Sequence, residues 1–140
     1  MDPKRIILDT DPAMGMRFRD LDDGLAILLL LASPKIELEG ITINFGNVGA
    51  SLGFQCAHEV LQVAGASTPV FKGAASRDEL GKTNPAVEYL IDTVKENPGE
   101  ITLLAIAPLT NVATAMMLEP EFAGNLKELV IMGGTFSFPF

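Results

Sequence analysis

Short apolar runs alternate with longer segments whose apolar residues recur at helical spacing. Ile6-Ile7-Leu8 is β-branched and apolar and runs into Asp9-Thr10-Asp11-Pro12, which predicts a buried strand ending in a loop. Further strands are predicted over about Leu38 to Phe45, Pro69 to Phe71, Ile101 to Ala107 and Leu129 to Met132. Between them, helices are predicted over Asp23 to Ala32, Gly53 to Ala64, Pro85 to Lys95 and Leu109 to Leu118. The first of these is apolar nearly all round, which predicts burial on most faces. Asp22 or Asp23 is placed to cap its free N–H groups, and Ser33-Pro34 to stop it. Strands of near-continuous apolar character alternating with helices imply an α/β fold: an open, mainly parallel sheet flanked by helices, of Rossmann-like type.

Composition agrees with a single folded unit. Of 140 residues, 48% are apolar and 20% charged, which suits a core and argues against disorder. The formal charge of -8 argues against nucleic acid or an anionic membrane surface as the main partner, since both require clustered Lys and Arg. The longest unbroken apolar run, Leu25 to Ala32, is far short of the roughly 20 residues of a membrane span. Cys56 is the only cysteine, so no intrachain disulfide forms, and a cytoplasmic setting is expected. The segment Phe136-Ser137-Phe138-Pro139-Phe140 would be sticky if exposed, which raises the expectation of further C-terminal sequence or of a covering partner.

Polar residues gather where the strands end, the edge at which open parallel sheets bind ligands. Asp9 and Asp11 follow the first strand, Asn44 and Asn47 the second, Thr110 and Asn111 the fourth, and Met132-Gly133-Gly134 the fifth. With Asp20, Asp22 and Asp23 there are five carboxylates within fifteen positions. Their mutual repulsion makes a hard divalent cation the simplest neutraliser. Three of them also have a plainer role: Asp22 or Asp23 as a cap, Asp9 as a turn residue. His58 reads as a plain helix residue, Cys56 as a small buried hydrophobe, and Met116-Met117 as core.

Asp9-Thr10-Asp11-Pro12 followed by Asp22-Asp23-Gly24-Leu25-Ala26 resembles the aspartate signature of the inosine-uridine preferring nucleoside hydrolases. Gly40 to Val48 looks like that family's strand ending in a ribose-binding Asn. Pro98 to Leu103 with Ala107-Pro108-Leu109-Thr110-Asn111 looks like its fourth-strand motif, and Val130 to Gly134 like the strand that supplies a substrate-contacting Met. The resemblance implies that residues 1–140 form the N-terminal part of a single nucleoside hydrolase domain. It implies Ca²⁺-dependent hydrolysis of the N-glycosidic bond of a ribonucleoside to ribose and free base. Carried over by position, Asp11 would be general base and Ca²⁺ ligand, Asp23 and the Ile106 carbonyl further ligands, and Asp22, Asn47 and Met132 substrate contacts. A homo-oligomer, or a second half of the domain, would be the partner.

The sequence departs from that family in three ways. Nine residues, Ala13 to Leu21, stand where the family has two, so this loop must bulge outward. Ala107 replaces the family's usual Gly. Family members run to about twice this length, and their second half carries an Asn/Glu/Asn group, a His near the leaving base and a fourth metal carboxylate. The plain reading of the loop is a surface segment whose Arg17 and Arg19 pair with nearby acids; the sharper one is a lid hinged at Gly15. Two other functions compete. One is a haloacid-dehalogenase-like phosphatase with Asp9 as nucleophile. The other is an inactive or split hydrolase half that acts as a binding or assembly module.

Overall fold

The computed structural model describes residues 2–134; Phe136, Phe138 and Phe140 lie outside the described residues. Five strands, β1 (Lys4–Thr10), β2 (Ile36–Ile43), β3 (Val70–Lys72), β4 (Ile101–Ala105) and β5 (Glu128–Ile131), form one sheet in the order β3-β2-β1-β4-β5. Every neighbouring pair is parallel, as the continuous apolar character of β1 and β4 predicts. The helices are α1 (Asp22–Ala32), α2 (Ala50–Ala64), α3 (Pro85–Glu96), α4 (Thr110–Leu118) and the short α5 (Phe122–Asn125). The sequence pattern left α5 and the single 3₁₀ turn Arg77–Glu79 unassigned, both being too short to show a period.

Two cores sandwich the sheet. Ile6 and Leu8 point to one face and join Ile27 and Leu30 of α1 with Ala57, Val60 and Leu61 of α2. Ile7 points to the other and joins Val87, Leu90 and Val94 of α3 with Val112 and Ala115 of α4. The alternation along β1 is therefore buried against helices on both sides. No helix among the described residues is long and apolar enough to cross a membrane.

Three expectations need correction. Helix α1 is not buried on most faces: Leu25 and Leu29 are 54% and 72% exposed, because only the side bearing Asp23, Gly24, Ile27 and Leu30 meets the sheet. Neither Asp22 nor Asp23 caps it; the N-cap position is Leu21, without a side-chain hydrogen bond. Met117 is exposed, whereas Met116 packs on the second core. By contrast, Asn84 caps α3 as a side-chain acceptor for the Val87 N–H, with Pro85 at the first helical turn.

The strand order reverses direction of growth between β1 and β4: β2 and β3 extend the sheet on one side of β1, β4 and β5 on the other. Crevices at such a switch point, outside the carboxyl ends of the strands, are where doubly wound sheets take ligands.

Candidate active site at the switch point

A cavity of about 410 Å³ opens at that place, within the range of small-molecule sites. Asp11, Asp20, Asp22, Asp23, Asn47, Ile106, Pro108, Met132 and Gly133 are among its lining residues. Every residue singled out from the sequence for metal or substrate contact, Asp11, Asp22, Asp23, Asn47, Ile106 and Met132, is therefore brought to one cavity. Their roles there are a separate question.

The backbone places them. Asp11 stands just past the end of β1. The Ile106 N–H donates to the Asp9 carbonyl (2.9 Å), which continues the β1–β4 ladder by one residue and brings Ile106 beside the β1 end. The Met132 N–H donates to the Ala105 carbonyl (2.9 Å) and extends β5 in the same way. Asp22 and Asp23 open α1, and Asp23 points inward while Asp22 remains exposed.

Two carboxylates meet at the cavity floor. Asp23 Oδ1 accepts from the Thr10 hydroxyl and from the Asp11 N–H (3.2 Å). Asp11 Oδ2 accepts from the Asn47 N–H (2.6 Å), and Asp23 Oδ2 from the Asn47 amide (3.4 Å). Asn47 thus touches both carboxylates. Burial pushes the Asp11 carboxyl up to about 7; the Asn47 N–H opposes this, and the neighbouring Asp23 and Asp9 charges add to it.

The donor set suits a hard cation. The Asp11 and Asp23 carboxylates, with Ile106 beside them in the lining, offer oxygen donors, the ligand type Ca²⁺ takes. The raised affinity of Asp11 for a proton is the electrostatic conflict that a cation between the two acids would relieve. Among the described residues no group of three or more His, Cys, Asp or Glu is clustered to hold a metal, so carbonyl oxygen and solvent would have to complete the shell.

A polar layer lies behind the floor; the sequence reading placed Asp9 and Asn111 at strand ends but did not pair them. Asp9 is fully buried; its Oδ1 accepts from the Thr42 hydroxyl (2.7 Å) and from the Asn111 amide (2.9 Å). Its Oδ2 has no partner, and burial raises the Asp9 carboxyl to about 6. Asn111 also donates to the Ile43 carbonyl (3.0 Å) and accepts from the Ala74 N–H (2.9 Å), so one amide joins β1, β2, α4 and the end of β3. The available signal was polar residues, Thr42 and Asn111, at strand and helix ends with no solvent to face. Asp9 does not line the cavity, which removes it as a nucleophile and with it the phosphatase reading.

The inserted loop bulges outward as the spacing requires. Its root is fixed: Ala13 is buried, Met14 and Met16 pack on the first core, and the Cys56 thiol donates to the Met14 carbonyl (3.6 Å). Its tip, residues 17–20, is exposed. Among the described residues neither Arg17 nor Arg19 forms an ion pair, so the expected pairing with nearby acids does not occur. Instead, the Arg17 guanidinium lies 4.7 Å from the centroid of the Phe18 ring.

The family described as inosine-uridine preferring nucleoside hydrolase matches residues 6–139 of the chain. A probable uridine nucleosidase 2 of Arabidopsis thaliana is 35% identical, with 97% of this chain matching 49% of that protein. Among solved structures, a plant nucleoside hydrolase, the PpNRh1 enzyme, is 34% identical with a TM-score of 0.81 and covers 95% of this chain and 48% of its own. A purine-preferring ribonucleoside hydrolase from Gardnerella vaginalis, 28% identical, has the same TM-score and covers 94% and 49%. The chain spans about half the length of the relatives it matches.

Proposed function

The chain belongs to the inosine-uridine preferring nucleoside hydrolase family, and from that premise we propose that it carries the cation-binding and ribose-binding part of a ribonucleoside hydrolase. One observation carries the reading: Asp11, Asp22, Asp23, Asn47, Ile106 and Met132, from five separate segments, line one cavity at the sheet's switch point.

In this reading Asp11, Asp23 and the Ile106 carbonyl hold Ca²⁺. The cation supplies Lewis-acid polarisation of water and of ribose hydroxyls. Asp22 and the Asn47 amide take ribose hydroxyls, and Met132 packs against the sugar, which fixes the anomeric carbon in the cavity. Asp11 accepts a proton from the attacking water on its carboxylate. The water oxygen bonds to the anomeric carbon, and the C–N bond breaks with its electron pair leaving on the base. The carboxylates around the cavity stabilise the positive charge that develops on the ribosyl group. Without a cation, burial raises the Asp11 carboxyl to about 7; a cation held on it would lower that value and keep it the ionised carboxylate that can take the proton.

A second reading rests on a specific observation, the coverage of about half of each relative. Here the chain binds ribose and cation but turns over only with the remaining half of such a domain, or with a second copy of itself. Val130 and Ile131 on the edge strand β5 are 40% and 45% exposed, and a strand added there would cover them.

The test is release of free base from uridine and from inosine by the 140-residue chain, with Ca²⁺ or with chelator, beside Asp11→Asn. Ca²⁺-dependent release that Asp11→Asn abolishes supports the hydrolase. Ca²⁺-dependent nucleoside binding without release supports the binding half. Neither binding nor release overturns both.

A further inference from the structure

The cavity as described has a sugar side but no flat apolar wall for a base. Among the described residues its lining is carboxylate, amide and aliphatic, with no aromatic side chain. Two aromatics stand two residues before a cavity residue, Phe45 before Asn47 and Phe18 before Asp20; Phe45 is part-buried, whereas Phe18 is exposed with its Cα within about 7 Å of that of Asp20.

Phe18 is unusual in two independent respects. It is 89% exposed, and it is the only non-glycine residue among those described with positive φ, 61°. A left-handed backbone is uncommon for a bulky residue and costs of order 1–2 kcal/mol. Exposing a whole phenyl ring adds a further hydrophobic cost. The loop's own packing repays little of either: its root is anchored by Ala13, Met14 and Met16, and at the tip the ring has the Arg17 contact. Strain held at a site margin points to a partner that is not the protein's own core. The ring is also prepared for one. Arg17 covers one face, and the exposure leaves the opposite face free. Gly15, at φ 82° with open space around it, shapes the turn between the anchored Met14 and Met16 from which the tip projects.

We propose that Phe18 is a specificity-determining residue, the platform on which the base of a nucleoside stacks once its ribose occupies the carboxylate cavity. Every nucleobase presents a π-face, so the platform discriminates a nucleoside from free ribose rather than one base from another. Arg17 supports the ring from behind through its cation–π contact. The proposal rests on the hydrolase reading above for the ribose position, and goes beyond it in assigning the base side to the inserted loop.

The sequence contains no tryptophan, so Phe18→Trp places a single fluorophore on the proposed platform. In Ca²⁺-containing buffer, uridine or inosine should change its emission saturably, and ribose alone should not. Phe18→Gly removes the ring and relieves the left-handed strain. It should keep or raise the melting temperature, leave ribose affinity unchanged, and weaken uridine and inosine binding at least about fivefold in calorimetric titration. Nucleoside binding in calorimetry with silent Phe18→Trp emission, or with equal affinity in Phe18→Gly, overturns the platform and leaves the hydrolase reading standing. Failure of the unsubstituted chain to bind either nucleoside or ribose overturns the hydrolase reading and the platform with it.

Discussion

Gly46 and Asp11 are in such close approach that a Cβ built on Gly46 would overlap Asp11 Oδ2. The same turn presents the Asn47 N–H to that oxygen at 2.6 Å. The glycine is therefore what allows the backbone of the β2–α2 loop to grip the carboxylate. Gly46→Ala should push Asp11 off its place and weaken Ca²⁺ binding by about 10–100-fold, the usual cost of disturbing the groups that orient a ligand. Gly49→Ala is the control, because a Cβ there meets nothing within 4 Å and the backbone φ of -65° suits any residue. Calorimetric titration of the metal into both variants checks this. Equal affinities would show that the Asn47 turn does not set the position of Asp11.

A second prediction follows from the buried acids. Asp11 and Asp9 have folded-state values near 7 and 6, above the ordinary 3.8, with burial as the first cause in both. The folded chain therefore holds more protons than the unfolded chain between about pH 4 and 7. By linkage, their contribution is fully present below pH 4 and is lost as pH rises through the folded values. In chelator, the melting temperature should fall between pH 5 and 8, and Asp11→Asn should flatten that fall. Ca²⁺ should restore the loss at pH 8 by binding the ionised form. A profile rising toward pH 8 in chelator, identical in Asp11→Asn, would contradict the assignment.

Asp11, Asn47 and Met132 were legible in the sequence because each stands where a recognisable apolar strand ends; Ile106 lay inside the predicted strand Ile101 to Ala107 and was reached only through the family resemblance. The two corrected features of α1 were not legible, for a physical reason. A run such as Leu25 to Leu31 has apolar side chains on every face, so no periodicity tells which side meets the sheet. Asp22 and Asp23 look alike at a helix start. Only the fold shows that Asp23 is drawn inward by Thr10 and the Asp11 N–H while Asp22 faces solvent. The Asp9–Asn111 pair spans 102 positions, and no local pattern announces it.

That pair carries a stability prediction. Asn111 is fully buried and makes three hydrogen bonds, to Asp9 Oδ1, the Ile43 carbonyl and the Ala74 N–H. Asn111→Ala removes all three bonds and leaves the Ala74 N–H without an acceptor in a water-free interior, while Asp9 keeps Thr42 and the Ile43 carbonyl keeps the Gly73 N–H; it should cost about 2–4 kcal/mol. Gly73→Ala should do comparable damage by another route, since its Cβ would overlap both the Asn111 amide and the Ile43 carbonyl. Urea unfolding of each variant measures the loss. A change below about 0.5 kcal/mol in both would show that solvent reaches this layer.

The last prediction separates the adjacent acids of α1. Asp23 is 2% exposed and accepts from Thr10 and from the Asp11 N–H, whereas Asp22 is exposed and makes none of the described hydrogen bonds. Both line the cavity. Asp22→Asn changes no internal contact, so its melting temperature should stay within the roughly 0.5 kcal/mol equivalent of an ordinary surface substitution. If Asp22 takes a ribose hydroxyl, the loss of a charged acceptor should weaken ribose and nucleoside binding about tenfold or more while Ca²⁺ affinity holds. Asp23→Asn should behave oppositely. It removes a proposed cation ligand, so Ca²⁺ binding should fall first, and ribose binding should then lose its Ca²⁺ dependence. It also puts an amide where the structure places an acceptor for two donors, and a wrongly turned amide would present N–H to N–H. A lowered melting temperature should therefore accompany the lost metal in Asp23→Asn and be absent in Asp22→Asn. Titration of Ca²⁺ and of ribose into both variants, with melting curves in chelator, resolves the pair. Loss of Ca²⁺ affinity in Asp22→Asn with none in Asp23→Asn would exchange the two roles.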